Sequence, residues 1–282
     1  MNAELEKMIL AAGDLPTIPV VATKVMQLLD SENATADDLA RIVASDPAVA
    51  ARVLKISNSA FYGCQRKIQT LSNAIVVLGF STLKSLVVAA SVKQVYHPFG
   101  LTEKMLWEHS FAAGLAAKII AGNIRIVNEE EAFLAGLFHD IGKIIMNTHD
   151  ANKFREVIQR CYNEGISFEE AEKAVYPFSH GEVGALVIRK WNFPSELMET
   201  VLRHHSLDFP DENDLYLIRV TAVVNLANAM TLKLGIGTRM PDDTIELPSL
   251  RSAQILQLAP QRLQTLLETF EEAFERDRQY FE

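Results

Sequence analysis

The chain has 282 residues, of which 49% are hydrophobic and 22% charged, so it can form a sizeable core and is not wholly disordered. A net charge of −9 argues against a general nucleic-acid binder. Two distant cysteines, Cys64 and Cys161, are typical of a reducing compartment rather than a disulfide framework. The sequence has no signal-peptide pattern and no apolar run that predicts a membrane span, so we expect a cytoplasmic protein that does not enter a membrane.

Charge is unevenly distributed along the chain. Residues 1–100 hold nine Lys and Arg against eight Asp and Glu, so the remaining residues carry a net charge of about −10. No carboxylate occurs between Asp46 and Glu103, whereas six cations do: Arg52, Lys55, Arg66, Lys67, Lys84 and Lys93. This stretch is either a solvated helical surface with few acids or a docking face for an anionic partner.

Residues 1–100 predict a small N-terminal module of short helices. Thr35 with Asp38, and Asp46 before Pro47, are N-terminal capping signals. The segment LPTIP predicts an extended connector, because each proline disfavours helix in the residue before it. Apolar residues repeat at helical spacing around residues 5–12, 21–30, 39–43, 49–56, 71–78 and 81–95, with a turn at 57–63.

Pro98 and Gly100 mark a predicted boundary, after which residues 101–235 form a second helical bundle. Thr102 is the expected cap of a long helix, and further helices are predicted after residues 150, 167 and 179 and over 194–205 and 215–233. Residues 236–282 are expected to form a connector and an amphipathic helix that packs on this bundle. No segment favours a sheet, so the predicted fold class is all-α.

The stretch EAFLAGLFHDIGKIIM, from Glu131 to Met146, predicts one buried helix that begins after the cap Asn128. His139 and Asp140 interrupt this apolar run, and Lys143 follows shortly after. Burying an imidazole beside a carboxylate is unfavourable unless both groups are paired or bind a metal ion. The sequence therefore predicts that this stretch carries the functional site.

Five of the seven histidines lie at points where predicted helices could converge on Asp140: His109, His139, His180, His204 and His205. Each histidine alone is more often a hydrogen-bonded core residue, and Lys143 alone could be a surface lysine whose stem lies along the protein. Together with one buried carboxylate, however, the five rings favour a metal site. Imidazole and carboxylate ligands suit a divalent ion of Fe, Mn, Zn or Ni better than Mg or Ca.

Several segments, in this order, resemble the HDOD proteins, a branch of the HD superfamily of metal-dependent phosphohydrolases that is related to the HD-GYP proteins. The resemblance extends over about residues 14–230 and implies an N-terminal helical module packed on an HD-type bundle. Its segments are LPTIPVV, IVASDPAVAARVLKISNSAFYG, LSNAIVVLGFSTLKSLV, WEHSFAAGLAAKI, EEAFLAGLFHDIGK, HGEVGALVIRKW and VLRHH.

The resemblance implies two metal positions. The first would use His109, His139, Asp140 and a later aspartate, in whose place this chain has the neutral Asn228. The second would use Asp140 as a bridge, with its other ligands from His180, His204 and His205. Asp140 and Lys143 would be the catalytic residues, with Lys143 contacting a substrate phosphate. The GYP signature is absent, since HHSLDFPDEND stands there.

These features predict a cytoplasmic bacterial signalling protein that retains an HD-type metal site and has weak or no hydrolase activity. The alternative is a metal-dependent phosphohydrolase that acts on a nucleotide or second-messenger phosphoester. A nucleic-acid adaptor that uses residues 47–102 is a third hypothesis, against which the overall charge stands. The expected partner is a separate signalling protein or a phosphorylated small molecule.

Overall fold

A computed structural model describes residues 5, 20–29, 35–62, 67–96, 100–209, 214–237 and 240–281. These residues form α-helices, short 3₁₀ turns and connecting loops, and the described part of the chain contains no strand. The predicted all-α fold class is therefore confirmed.

The N-terminal helices are short and follow the predicted capping signals. Thr35 forms a reciprocal capping box with Asp38, and the Asp46 carboxylate accepts from the backbone N–H groups of residues 48 and 49. The predictions for residues 6–19, 63 and 98 lie outside the described residues. The helices are α1 (Val20–Leu29), α2 (Ala36–Ala44), α3 (Pro47–Ser57), α4 (Leu71–Leu78) and α5 (Phe80–Val92), with 3₁₀ turns at Ala60–Tyr62 and Lys93–Tyr96.

The second group of helices contains the predicted long helix, the central stretch and the closing helix. Asn128, Asp150, Ser167 and Ser179 act as the predicted N-caps. The helices are α6 (Leu101–Ile124), α7 (Glu129–Phe138), α8 (Ile141–His149), α9 (Ala151–Glu164), α10 (Phe168–Val175), α11 (His180–Lys190), α12 (Ser195–Arg203), α13 (Leu215–Lys233), α14 (Arg251–Ile255) and α15 (Pro260–Phe281), with a 3₁₀ turn at Leu247–Ser249.

Two sequence predictions in this region are wrong. Thr102 does not cap α6, which begins at Leu101 after Gly100 without a side-chain cap. The predicted continuous helix from Glu131 to Met146 is broken, because α7 ends at Phe138 and α8 begins at Ile141. Asp140 at this break has φ −103° and ψ 13°, outside helical geometry. The break lets the chain turn so that both polar side chains point inward.

Helix α5 joins two apolar clusters because it is buried on nearly all sides. One of its faces, with Leu83 and Val87, packs in a small cluster with α1 to α4. Another face, with Leu86 and Ala89, packs in the main core that α6 to α15 form. The closing helix α15 contributes Phe270 and Phe274 to that core.

Glycines allow two close helix contacts around the break. A Cβ at Gly136 of α7 would lie 2.6 Å from the backbone oxygen of Ala113 in α6. A Cβ at Gly142 of α8 would lie 1.9 Å from the backbone oxygen of His180 at the start of α11. The backbones of α6, α7, α8 and α11 can therefore approach one another only because these residues lack side chains.

One helix, α13, is long and apolar enough to cross a bilayer by length and composition, which the sequence pattern did not indicate. In the described fold, however, 61% of its apolar window is buried against other helices. Its apolar surface is thus used for packing, as in the core helix of a soluble-type all-α protein.

We predict that Gly142→Ala lowers the free energy of unfolding by about 1–3 kcal/mol, because the added methyl group forces α8 away from His180. Urea titration of the variant measures this change. Gly122→Ala is the matched control, since its nearest neighbour is the movable side chain of Glu129. An equal or smaller loss in Gly142→Ala than in the control would contradict the close-contact account.

Candidate metal centre

Five helices or helix ends bring the predicted site residues to one place in the core. His139 and Asp140 occupy the break between α7 and α8, and their side chains are at most 1% exposed. His109 comes from α6, His180 begins α11, and His204 and His205 follow α12 directly. Asn228 comes from α13 and is also buried.

The first half of the centre surrounds Asp140 Oδ2. The Nε2 atoms of His139 and His109 lie 3.3 Å and 3.5 Å from this oxygen. Asn228 Oδ1 lies 3.0 Å from His109 Nε2. The structure therefore gathers two imidazoles, one carboxylate and one amide, the groups that the family resemblance implies for a first metal.

The second half surrounds Asp140 Oδ1. The Nε2 atoms of His180 and His204 lie 3.3 Å and 3.7 Å from this oxygen. His180 Nε2 is in turn 3.4 Å from His204 Nε2 and 3.1 Å from His205 Nε2. Each oxygen of Asp140 thus faces one group of imidazoles.

The other ring nitrogen of each buried histidine faces an oxygen atom. Nδ1 lies 2.7 Å from the Gly136 carbonyl in His139 and 2.7 Å from the Val201 carbonyl in His204. His109 Nδ1 lies 3.2 Å from the Ile236 carbonyl. These contacts place the proton on Nδ1, so the Nε2 lone pairs of these rings point to the centre. This is how outer hydrogen bonds orient metal-ligating histidines.

The Glu172 carboxylate orients the fourth fully buried ring. Its oxygens lie 3.0 Å and 3.2 Å from His180 Nδ1, and one of them accepts from the backbone N–H of His180 at 2.7 Å. Glu172 is completely buried in α10. Sequence analysis missed this residue, because it follows the more exposed acids Glu169 and Glu170 in α10 and its burial depends on its contact with His180.

The inner atoms fit a bound cation better than a network of hydrogen bonds. Within the described residues, His139 Nε2 and Asp140 Oδ1 are buried and have no hydrogen-bond partner. Two donors that lie about 2.1 Å from one ion, at tetrahedral or octahedral angles, are about 3.0–3.4 Å apart. Most of the distances given above fall in or near that range. Within each half of the centre, the ligand atoms of the histidines and Asp140 all lie within 4.8 Å of one another. The residues present therefore fit a divalent metal ion.

Electrostatics in the centre set the protonation states of several of the buried groups. Burial lowers the pKa of both His109 and His204 to about 4, so these rings are neutral at neutral pH. Burial alone would raise the pKa of Asp140, but the adjacent His139 and Lys143 hold it well below its ordinary value. Burial also holds the pKa of His205 well below its ordinary value, whereas the Glu172 carboxylate outweighs burial and raises the pKa of His180. The centre thus presents an ionised carboxylate with neutral rings at His109, His204 and His205.

Lys143 is buried beside the carboxylate. Its ammonium group donates to Asp140 Oδ2 at 2.6 Å and lies 4.4 Å from the centre of the Phe168 ring. The interpretation of Lys143 as an ordinary surface lysine is therefore wrong, because its side chain is buried between Asp140 and the Phe168 ring of α10.

A cleft of about 590 Å³ reaches the centre from one side. Its lining includes His180 and His205, and His205 is the most exposed of the five histidines, with 23% of its side chain accessible. Lys173 and Arg203 line the cleft together with two carboxylates, those of Glu169 and Glu182. Small molecules can approach the second half of the centre through this opening, which carries no excess of either charge.

A profile of the HDOD domain matches residues 15–207, which is more than half of the chain. The chain belongs to the HDOD family. A Treponema pallidum (strain Nichols) protein of unknown function is 22% identical over 90% of this chain, which spans about half the length of that relative.

Solved structures of similar fold come from several bacteria. An HDOD domain protein of unknown function from Geobacter sulfurreducens has a TM-score of 0.83 at 22% identity and covers 98% of this chain and 95% of its own. A proposed metal-dependent phosphohydrolase from Shewanella amazonensis SB2B has a TM-score of 0.70 at 21% identity, with coverages of 99% and 96%. A proposed signal transduction protein from Marinobacter aquaeolei VT8 has a TM-score of 0.68 at 19% identity, with coverages of 99% and 60%. These likenesses establish the shared all-α fold.

We predict that Mn²⁺ or Zn²⁺ stabilises the chelator-treated protein, because an ion that binds only the folded state adds about 2.7 kcal/mol at 100 times its dissociation constant. His139→Gln should lose most of this gain in thermal unfolding scans. His149→Gln, at the exposed end of α8, should keep the gain. Equal stabilisation of the His139→Gln variant and the unsubstituted protein would contradict binding at this centre.

Proposed function

We propose that this protein is a cytoplasmic bacterial signalling protein of the HDOD family that retains an HD-type divalent metal centre and has weak or no hydrolase activity. The observation that carries this proposal is the arrangement of Nε2 atoms around both oxygens of Asp140, with two buried inner atoms left without hydrogen bonds. His109, His139, Asp140 and Asn228 would hold one ion. Asp140 would share a second ion with His180, His204 and His205.

Asn228 is the main argument for weak activity. An amide oxygen carries no full charge, so it binds a divalent ion less strongly than the carboxylate that the HD resemblance implies at this position. Asn228 Oδ1 lies 3.0 Å from His109 Nε2, so Asn228 can still contribute an oxygen ligand. The first position would therefore bind its ion more weakly than in relatives with an aspartate.

The surroundings of the centre also disfavour efficient phosphoester cleavage. The Lys143 ammonium group is engaged by Asp140 at 2.6 Å and is not among the residues that line the described cleft. Glu169 and Glu182 offset the charge of Lys173 and Arg203 there, so the opening lacks a net attraction for a phosphate group. A signalling protein that responds to metal binding by a change of shape does not need to hydrolyse a phosphoester, so these features are compatible with such a protein.

The second candidate is a metal-dependent phosphohydrolase acting on a nucleotide or second-messenger phosphoester. It is favoured by the cleft that opens onto His180 and His205, since a substrate can reach them there. Bound metal would activate water and neutralise phosphoryl oxygens. In this candidate, Asp140 orients the centre and Lys143 supplies positive charge to the substrate phosphate.

Metal analysis of the purified protein, with hydrolysis of bis(4-nitrophenyl) phosphate in Mn²⁺ or Fe²⁺, tests this proposal. We expect one or two ions per chain and little turnover. Robust turnover that disappears in His139→Ala would establish the phosphohydrolase instead. Lys143→Ala would then lower turnover while the metal content stays near that of the unsubstituted protein.

We predict that Asn228→Asp raises the affinity for Mn²⁺ by about tenfold, because it adds a charged ligand to His109 and His139. Competition with a chromophoric chelator measures this affinity, and the hydrolysis assay is repeated on the same variant. Asn228→Ala is the matched control and should weaken binding, because it removes the oxygen altogether. Unchanged affinity in both variants would contradict the role given to Asn228.

A further inference from the structure

His205 is the most exposed donor in the second half of the centre. Asp140 and the rings of His180, His204 and His205 form this group, and their ligand atoms lie within 4.8 Å of one another. The side chain of His205 is 23% exposed, whereas those of the other three residues are at most 1% exposed. Small solutes can therefore reach one ring of the group much more easily than the others.

The outer nitrogen of His205 is held more loosely than that of its neighbour in the chain. His204 Nδ1 lies 2.7 Å from the Val201 carbonyl, and the His204 carbonyl accepts from the Asn225 amide at 2.7 Å. For His205 Nδ1, the described residues provide the Glu169 carboxylate at 3.7 Å, which exceeds hydrogen-bonding distance. An outer hydrogen bond fixes the ring of a ligating histidine, so His205 can turn away more easily than His204.

His180, the other histidine that lines the cleft, is held firmly. Glu172 is completely buried, faces His180 Nδ1 with both oxygens and accepts from the His180 backbone N–H at 2.7 Å. The capping box of Ser179 and Glu182 also fixes the first turn of α11, in which His180 lies. Of the two histidines that a solute in the cleft can contact, His205 is therefore the less restrained.

A set of four protein donors limits the access of an external ligand to an ion. Structural zinc sites have four protein ligands and are closed, whereas catalytic sites have three and keep one position open. The second half supplies four donors, so an external ligand has to replace one of them at a four-coordinate ion. His205 combines contact with the cleft and weak restraint, so it is the donor that leaves most readily.

We propose that His205 is an exchangeable ligand of the metal centre, which a small ligand with at most one negative charge displaces from the side of the cleft. The exchange replaces the Nε2 lone pair of His205 by one from the incoming ligand, so it needs no oxidant, reductant or other co-reactant. The charge limit follows from the cleft, where two cations and two carboxylates offset one another. This inference rests on the proposed function and adds a way for the centre to respond to a solute without hydrolysing it.

Azide binding to the Co²⁺-loaded full chain tests the proposal. Bound Co²⁺ gives visible absorption and shifts the proton NMR signals of its ligands. We expect azide to change the absorption and to remove the shifted ring signals of one histidine, the same signals that are missing from the spectrum of His205→Ala. His205 is partly exposed, so this substitution leaves the apolar core intact. Persistence of those signals at saturating azide, or an unchanged spectrum, would overturn the proposal.

His204 and His205 provide a matched pair of variants. His204→Ala and His205→Ala each remove a donor, and each should weaken Co²⁺ binding by more than the roughly tenfold that loss of an outer hydrogen bond costs. Millimolar imidazole should restore most of the Co²⁺ affinity of His205→Ala, because it enters the vacated position from the cleft. It should not restore that of His204→Ala, whose position is closed to solvent. Equal restoration of both variants, or of neither, contradicts the proposal.

The same titrations separate this inference from the proposed function. If Co²⁺ does not bind the unsubstituted protein, the metal centre and this inference are both overturned. If Co²⁺ binds but azide displaces no histidine, the inference alone is overturned, and the second half of the centre is a closed structural site.

Discussion

The feature on which the rest of the structure depends is the set of imidazole Nε2 atoms that face the buried carboxylate of Asp140. Lone pairs on such nitrogens repel one another when nothing lies between them. Four rings are nearly inaccessible to water, and the Nδ1 atom of each faces a carbonyl or carboxylate oxygen. Their Nε2 atoms therefore turn inward, towards Asp140 and one another. Apolar packing alone gives no reason for this arrangement, whereas a cation between the donors converts the repulsion into attraction.

The helical framework serves this arrangement at several points. His139 and Asp140 lie in the core at the break between α7 and α8. Gly142 lets α8 contact the start of α11, and that contact brings His180 to Asp140. The fold and the site are thus coupled: a change that separates α8 from α11 separates the ligands as well.

Sequence reasoning was most successful where a local signal determines local structure. The caps at Asn128 and Ser179 and the all-α class follow from residue pattern alone, and the histidines converge as the family resemblance implied. The break at Asp140 was missed, because apolar spacing continues through it. Glu172 was missed because nothing in the sequence distinguishes this buried acid from the more exposed acids beside it in α10.

Anomalous diffraction from crystals of the Mn²⁺- or Zn²⁺-loaded protein, recorded on both sides of the metal absorption edge, tests the central claim most directly. Our account predicts a peak bonded to Asp140 Oδ1 and to the Nε2 atoms of His180, His204 and His205. It predicts a second, weaker peak between Asp140 Oδ2, His109, His139 and Asn228. Absence of anomalous density at Asp140 in fully loaded crystals, with hydrogen bonds linking the rings instead, would contradict it.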